Sequence, residues 1–193
     1  MRKMYLSAPL PFVGQKRMLA KEFMKVLEQY PDGTLFVDLF GGSGLLSHIT
    51  KSLKPHSTVI YNDFDNYRFR MKHIPQTNQL LADIREMVGN SVPRHKIIKG
   101  ELRERIFSRI EQEENSTGYV DFITLSSSIL FSMKYKLSVQ DMRKEALYNN
   151  IRKTGYPECT DYLEGLEIVS CDYKEVFNRY KDIPGVVFLV DPP

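Results

Sequence analysis

Near the end of the chain an apolar run, Val186-Val187-Phe188-Leu189-Val190, passes straight into Asp191-Pro192-Pro193. Two prolines restrict the backbone, so the Asp191 carboxylate and a nearby carbonyl make a fixed pair of acceptors. Such a pair suits an NH₂ group that must donate two hydrogen bonds. A carboxylate at the carboxyl edge of a parallel sheet also lies where open α/β sheets place their ligands. Prolines terminate strands well, and a capped strand end accounts for the same three residues. A second concentration of chemistry is Phe40-Gly41-Gly42-Ser43-Gly44, which follows the apolar run Phe36-Val37-Asp38-Leu39. Glycine permits positive φ and lacks the Cβ that would hold a ligand off the backbone, so the stretch can cradle a nucleotide-like molecule. It also serves as a plain tight turn between strand and helix. Asp63 lies about 20 residues further on, where an acidic residue grips ribose hydroxyls in nucleotide folds. Asp is equally at home in a simple turn.

The elements that must hold these residues follow from periodicity. A proline-punctuated loop covers residues 8–16. A helix is predicted from Gln15 to Tyr30, with Met18, Leu19, Phe23, Val26 and Leu27 on its apolar face. Phe36–Phe40 reads as a buried strand of a parallel sheet, bracketed by Pro31-Asp32-Gly33 and followed by a helix to about Leu53. Thr58-Val59-Ile60-Tyr61 reads as a second strand ending in Asn62-Asp63-Phe64-Asp65. Strand character returns at Leu166–Tyr173 and, after a short helix over Tyr173–Tyr180, at Val186–Val190. The expected fold class is α/β, with a mostly parallel sheet.

Between Asn66 and Leu163 the alternation stops. Helices are expected over Leu80–Val88, Lys99–Glu114 and Leu137–Ile151, the last opening on a capping box at Ser138 and Asp141. Val120–Met133 is strongly apolar; periodicity does not separate strand from buried helix there, and helix is the expectation. Nearly 100 residues are too many for a loop, so they form a helical insert. The expected division is residues 1–66 with 164–193 as one domain and 67–163 as the other. The insert carries Lys134, Tyr135, Lys136, Arg143 and Lys144, a basic and aromatic set able to grip phosphates and stack bases. A solvated helical face gives the same composition.

The bulk properties restrict the classes. The chain has 193 residues, 42% hydrophobic and 26% charged, with a formal net charge of +3. No apolar run reaches the roughly 18–20 residues that span a bilayer. Two cysteines, Cys159 and Cys171, do not make a disulfide framework, and no Cys/His cluster has zinc spacing. A reduced, cytoplasmic location without a membrane or a metal is the expectation.

Taken together, the N-terminal Pro11-Phe12-Val13-Gly14-Gln15-Lys16, Phe40–Gly44, Asn62–Asp65, the long insert, Cys171-Asp172-Tyr173 and Asp191-Pro192-Pro193 resemble the Dam-like class of adenine-specific DNA methyltransferases. The elements come in the family's order and span nearly the whole chain. The resemblance implies a Rossmann-like fold and transfer of a methyl from S-adenosylmethionine (SAM), without a metal, to the exocyclic amine of an adenine flipped out of double-stranded DNA. It implies that Phe12, Gly14, Lys16, Asp38, Phe40, Gly41, Gly42, Ser43, Gly44, Asp63, Asp172 and Tyr173 bind the cofactor. Lys16 would pair with the methionine carboxylate, Asp63 with ribose, and Asp172 with the adenine amine. Asp191, Pro192 and Pro193 would hold the target amine, and the insert would recognise DNA.

The sequence departs from the family pattern where it stops. The family motif continues past the second proline with an aromatic residue that stacks on the target adenine, and the sheet gains further strands. The expectation is a chain that binds SAM but is severely impaired in methyl transfer, with the remainder supplied by a missing segment or a second chain. Two alternatives stand beside this one: a SAM methyltransferase acting on RNA or on a protein amide, and a non-catalytic nucleic-acid-binding protein.

Overall fold

The computed structural model describes residues 3–14, 18–131 and 134–191. In chain order the elements are α1 (Ala20–Glu28), β1 (Phe36–Asp38), α2 (Leu45–Leu53), β2 (Val59–Asn62), α3 (Tyr67–Lys72), α4 (Ile74–Val88), β3 (Ile97–Ile98), α5 (Gly100–Thr117), α6 (Phe122–Ile129), α7 (Val139–Arg143), β4 (Leu147–Tyr148), β5 (Glu167–Val169), α8 (Tyr173–Tyr180) and β6 (Val187–Leu189). They divide into two compact units, residues 1–71 with 159–193 and residues 72–158.

The first unit is built on a four-stranded parallel sheet of order β5-β2-β1-β6. Its two central strands are buried along their whole length, as continuous apolar runs with helices on both faces should be. Alternate residues feed opposite cores. Phe36 and Val59 join Leu45 and Ile49 of α2 and Ala20 and Leu27 of α1 on one face. Val37 and Ile60 meet Val176 of α8 on the other. The chain builds outward from β1 through β2 to β5, then returns to place β6 on the opposite side of β1. That reversal is the switch point at which an open α/β sheet leaves a crevice beyond the carboxyl ends of its strands. The fold is the mixed α/β, Rossmann-like one expected.

The first helix corrects the sequence reading. Gln15, Lys16 and Arg17 lie outside the described residues, and α1 buries Ala20 and Leu27 with Phe23 and Met24 partly covered. Met18, Leu19 and Val26, expected on that face, are exposed, Met18 by 84%. The sequence offers two overlapping apolar stripes, and packing onto Phe36 selects the 20-23-24-27 one.

In the second unit α4 packs on α5 and α6, and α5 on α7. Ile84, Ile106, Phe107, Ile110 and Ile129 are fully buried. α6 is capped by Asp121, whose carboxylate accepts from the Thr124 amide at 3.1 Å and the Thr124 hydroxyl at 2.7 Å. Ser138 caps α7 through the Asp141 amide. The single helix expected over Leu137–Ile151 is not formed. α7 ends at Arg143, and Leu147–Tyr148 pairs antiparallel with Ile97–Ile98, burying Leu147 opposite Ile98. The insert is therefore helical with one short ribbon. Among the described residues no helix is long and apolar enough to cross a membrane.

Candidate active site

A cleft of about 400 Å³ opens beyond the carboxyl ends of the sheet strands. That is ample for a nucleoside-sized ligand. β1 delivers Asp38, Leu39 and Phe40 to it, β2 delivers Asn62, and the segments after β5 and β6 deliver Asp172, Tyr173 and Asp191. The N-terminal loop adds Phe12, Val13 and Gly14, and the stretch after β2 adds Phe64 and Asp65.

The floor is the turn from β1 into α2. The Gly44 amide donates to the Gly41 carbonyl at 2.7 Å, and Gly44, at φ 71°, caps α2 in the left-handed region. A left-handed cap admits glycine at little cost, and the first amides of a helix have no partner within the helix itself. Gly41 is required for a different reason: a Cβ there would lie 2.3 Å from the Tyr61 ring and 2.7 Å from the Asn62 carbonyl. The glycines thus serve the packing beneath the turn as well as the space above it.

Four carboxylates line the cleft, those of Asp38, Asp65, Asp172 and Asp191, and among the described residues no lysine or arginine does. Asp38 is almost completely buried. Its Oδ2 accepts from the Ser47 hydroxyl at 2.7 Å, whereas Oδ1 has no hydrogen-bond partner among the described residues. Burial pushes its carboxyl up to about 7, the Asp191 charge adds to this, and Ser47 and the Phe40 backbone oppose it. A buried carboxylate with an unanswered oxygen at a cavity wall is ready for a cationic or amine donor.

The side walls are held by polar links. The Asn62 side chain donates to the carbonyls of Leu39 at 3.0 Å and Cys171 at 2.9 Å, and accepts from the Cys171 amide at 3.1 Å. Asn62 thereby fixes the strand ends beside one another. Asp172 caps α8 through the Lys174 amide at 2.8 Å, and the Tyr173 ring lies 4.8 Å from that of Phe40. Phe64 presents a 63% exposed ring to the cleft.

Of the cofactor residues expected from the sequence, the cleft gathers Phe12, Gly14, Asp38, Phe40, Gly41, Gly42, Ser43, Asp172 and Tyr173, and with them Asp191. Gly44 is not among the lining residues, and a Cβ there would face Leu163 and the Tyr61 ring. Asp63 is not among the lining residues: its Oδ1 accepts from the Tyr67 amide at 2.6 Å and its Oδ2 from the Arg68 amide at 3.0 Å. Burial raises its carboxyl, with these amides and the Tyr61 hydroxyl opposing. Lys16, Pro192 and Pro193 lie outside the described residues. Asn62, Phe64 and Asp65 carry no role of their own in the sequence reading. Phe64 and Asp65 share the strand-ending segment with Asp63, and that proximity is the available signal.

The proposed DNA set lies in the second unit and is extensively ion-paired. Lys134 and Lys136 both meet Glu145, at 2.5 and 3.0 Å. Arg143 reaches Glu104 at 2.7 Å and Glu111 at 2.9 Å, and Lys144 reaches Asp141 at 2.7 Å. Tyr135 is half-buried beside them. Among the described residues no group of three or more His, Cys, Asp or Glu could hold a metal ion.

A Haemophilus influenzae protein named "Putative methyltransferase" is 39% identical over the whole of this chain, which spans 65% of that relative's length. The family described as D12 class N6 adenine-specific DNA methyltransferase matches residues 12–193, from the Phe12 wall of the cleft to the terminal proline pair. A match over nearly the entire chain makes this protein a member of the D12 class of N6 adenine-specific DNA methyltransferases.

Proposed function

We propose that the chain binds SAM in the cleft and presents its methyl to the exocyclic amine of an adenine taken from duplex DNA. The observation that carries the reading is the Asp38 carboxylate, buried beside a glycine turn and three further carboxylates, with one oxygen that has no hydrogen-bond partner among the described residues. An acidic, glycine-floored cleft with no lysine or arginine lining it among the described residues suits a ligand that bears positive charge, and SAM supplies an electrophilic methyl on a sulfonium.

Asp38 and the amides at the start of α2 receive the amino-acid end. The ribose falls to the β2 terminus, where Asp65 lines the cleft. Asp63 Oδ2, with a single amide donor, retains a lone pair for a hydroxyl. Phe64 and Tyr173 offer ring faces to a purine, and Asp172 offers an acceptor to its amine. Lys16 is assigned to the carboxylate of the same ligand.

Asp191 acts on the substrate. An adenine amine is a poor nucleophile because its lone pair is delocalised into the ring. Hydrogen bonds to the Asp191 carboxylate and the Pro192 carbonyl favour a tetrahedral nitrogen and direct its lone pair at the methyl. Positioning and fixed acceptors do this work, with no covalent intermediate on the protein. The amine is paired within the duplex, so the base must leave the stack. The second unit, with its basic and aromatic residues, is assigned to holding the DNA, and that substrate places the work inside a cell.

Methylation with radiolabelled SAM, offered adenine-containing duplex DNA, RNA and unrelated protein in parallel, tests the reading. Label in the N6 position of DNA adenine, lost in Asp191→Ala, is expected. Label in RNA or protein alone would replace the substrate, and absence of SAM binding by calorimetry would remove the reading altogether.

A further inference from the structure

We infer that Tyr61 is the positioning residue of the cofactor cleft, setting the glycine turn from below and coupling it through Asp63 to the N-terminal loop that adjoins the turn. The inference deepens the SAM reading and rests on it for its functional meaning. Its structural content stands on contacts within the first unit.

Tyr61 is fully buried near the end of β2 and is not part of the cleft lining. Its ring fills the space directly beneath the turn, 2.3 and 2.4 Å from the position a Gly41 Cβ would take and 3.4 Å from that of Gly44. Its hydroxyl lies 2.8 Å from the Gly42 carbonyl and 3.1 Å from Asp63 Oδ1. Burial and the Asp63 charge hold that hydroxyl far above its ordinary value, so it remains a donor. The ring sets how far the turn can sink, and the hydroxyl sets how far it can rise.

The coupling runs on from Asp63. Its carboxylate takes the amides of Tyr67 and Arg68 and so anchors the start of α3. From α3 the Tyr67 hydroxyl accepts from the Leu10 amide at 2.9 Å and meets the Leu10 carbonyl at 3.1 Å, while Arg70 donates to the Pro11 carbonyl at 2.8 Å. Phe12 comes next in the chain. Its ring stands edge-on to Tyr67 at 5.8 Å and lies 2.9 Å from where a Gly42 Cβ would be. The path closes on itself: Gly42, Tyr61, Asp63, α3, Leu10, Phe12 and Gly42 again. Two parts of the cleft lining, the glycine turn and the N-terminal loop, hang on one buried phenol and one buried carboxylate.

Hydrogen exchange on the ligand-free full chain reads this directly, beside SAM calorimetry. Tyr61→Phe keeps the ring and removes the hydroxyl. The expected result is exchange about three- to tenfold faster at the amides of residues 41–45, with the rest of the sheet unchanged and the unfolding midpoint nearly constant. The dissociation constant for SAM should rise by a similar factor. Asp63→Asn, which retains one acceptor and loses the other, should instead loosen residues 8–14 and 66–69. If Tyr61→Phe does not accumulate as folded protein, Asp63→Asn tests the coupling, and unchanged exchange at residues 8–14 and 66–69 then overturns it. Unchanged exchange at 41–45, or a uniform increase across the whole sheet, overturns the inference. Failure of the parent chain to bind SAM would remove the proposed function while the exchange result still decided the role of Tyr61.

Discussion

The protonation of Asp38 should make both stability and cofactor affinity depend on pH. Burial lifts its carboxyl to about 7, against roughly 4 for an ordinary aspartate. A raised acid favours the protonated fold, so its contribution to stability is fully present below about pH 4 and is lost as pH climbs to about 7. Binding runs the other way. A cationic ligand prefers the ionised carboxylate, so SAM uptake releases a proton and affinity should increase with pH before levelling near 7, by at most about tenfold per unit. Asp38→Asn should flatten that dependence, and calorimetry in buffers of different ionisation enthalpy would count the proton. Gly41→Ala tests the floor. With the Tyr61 ring and a backbone carbonyl in the way, overpacking should destabilise the chain by about 1–3 kcal/mol in urea unfolding.

The strand ends beside the cleft depend on Asn62. Its side chain serves the Leu39 carbonyl and both backbone groups of Cys171. Asn62→Ala leaves these groups without that partner and should cost about 2 kcal/mol or more, measured by chemical unfolding. The amino-acid sequence makes some of this visible. Phe36–Gly44 announces its strand, turn and helix because a buried parallel strand and a glycine break are both local signals. Tyr61 and Asn62 read only as the end of a short strand, since their partners are far away in sequence. The α1 face misleads because two stripes are equally apolar and only the packing against Phe36 distinguishes them. Leu147–Tyr148 reads as helix because its ladder partner, Ile97–Ile98, lies about 50 residues earlier and a two-residue strand has no period to detect.

The whole molecule carries a modest positive charge, and its distribution matters more than its sum. Lys134 and Lys136 share Glu145, whereas Lys96 and Lys99 are exposed and have no carboxylate within ion-pair distance among the described residues. Charge reversal at Lys96 and Lys99 should therefore weaken duplex DNA binding more than reversal at Lys134. The salt slope should fall by about one for each phosphate that is no longer neutralised. Fluorescence anisotropy across a salt series would measure both. Equal effects would return the DNA face to the loop around Lys134.

The placement of the insert has a consequence for how the chain acquires its shape. β2 and β5 are neighbours in the sheet, yet residues 72–158 form a compact unit between them, and the Asn62 link to Cys171 joins residues 109 apart. Closing so long a loop before any native pairing rewards it is entropically slow, and parallel pairings of this kind raise the mean sequence separation of neighbouring residues. The chain should refold with early protection in α4 and α5, whose partners are nearer in sequence, and with late protection of β5 and β6. On the ribosome the same order holds: β1 and β2 emerge first, and their pairing with β5 and β6 must wait until the insert has been synthesised.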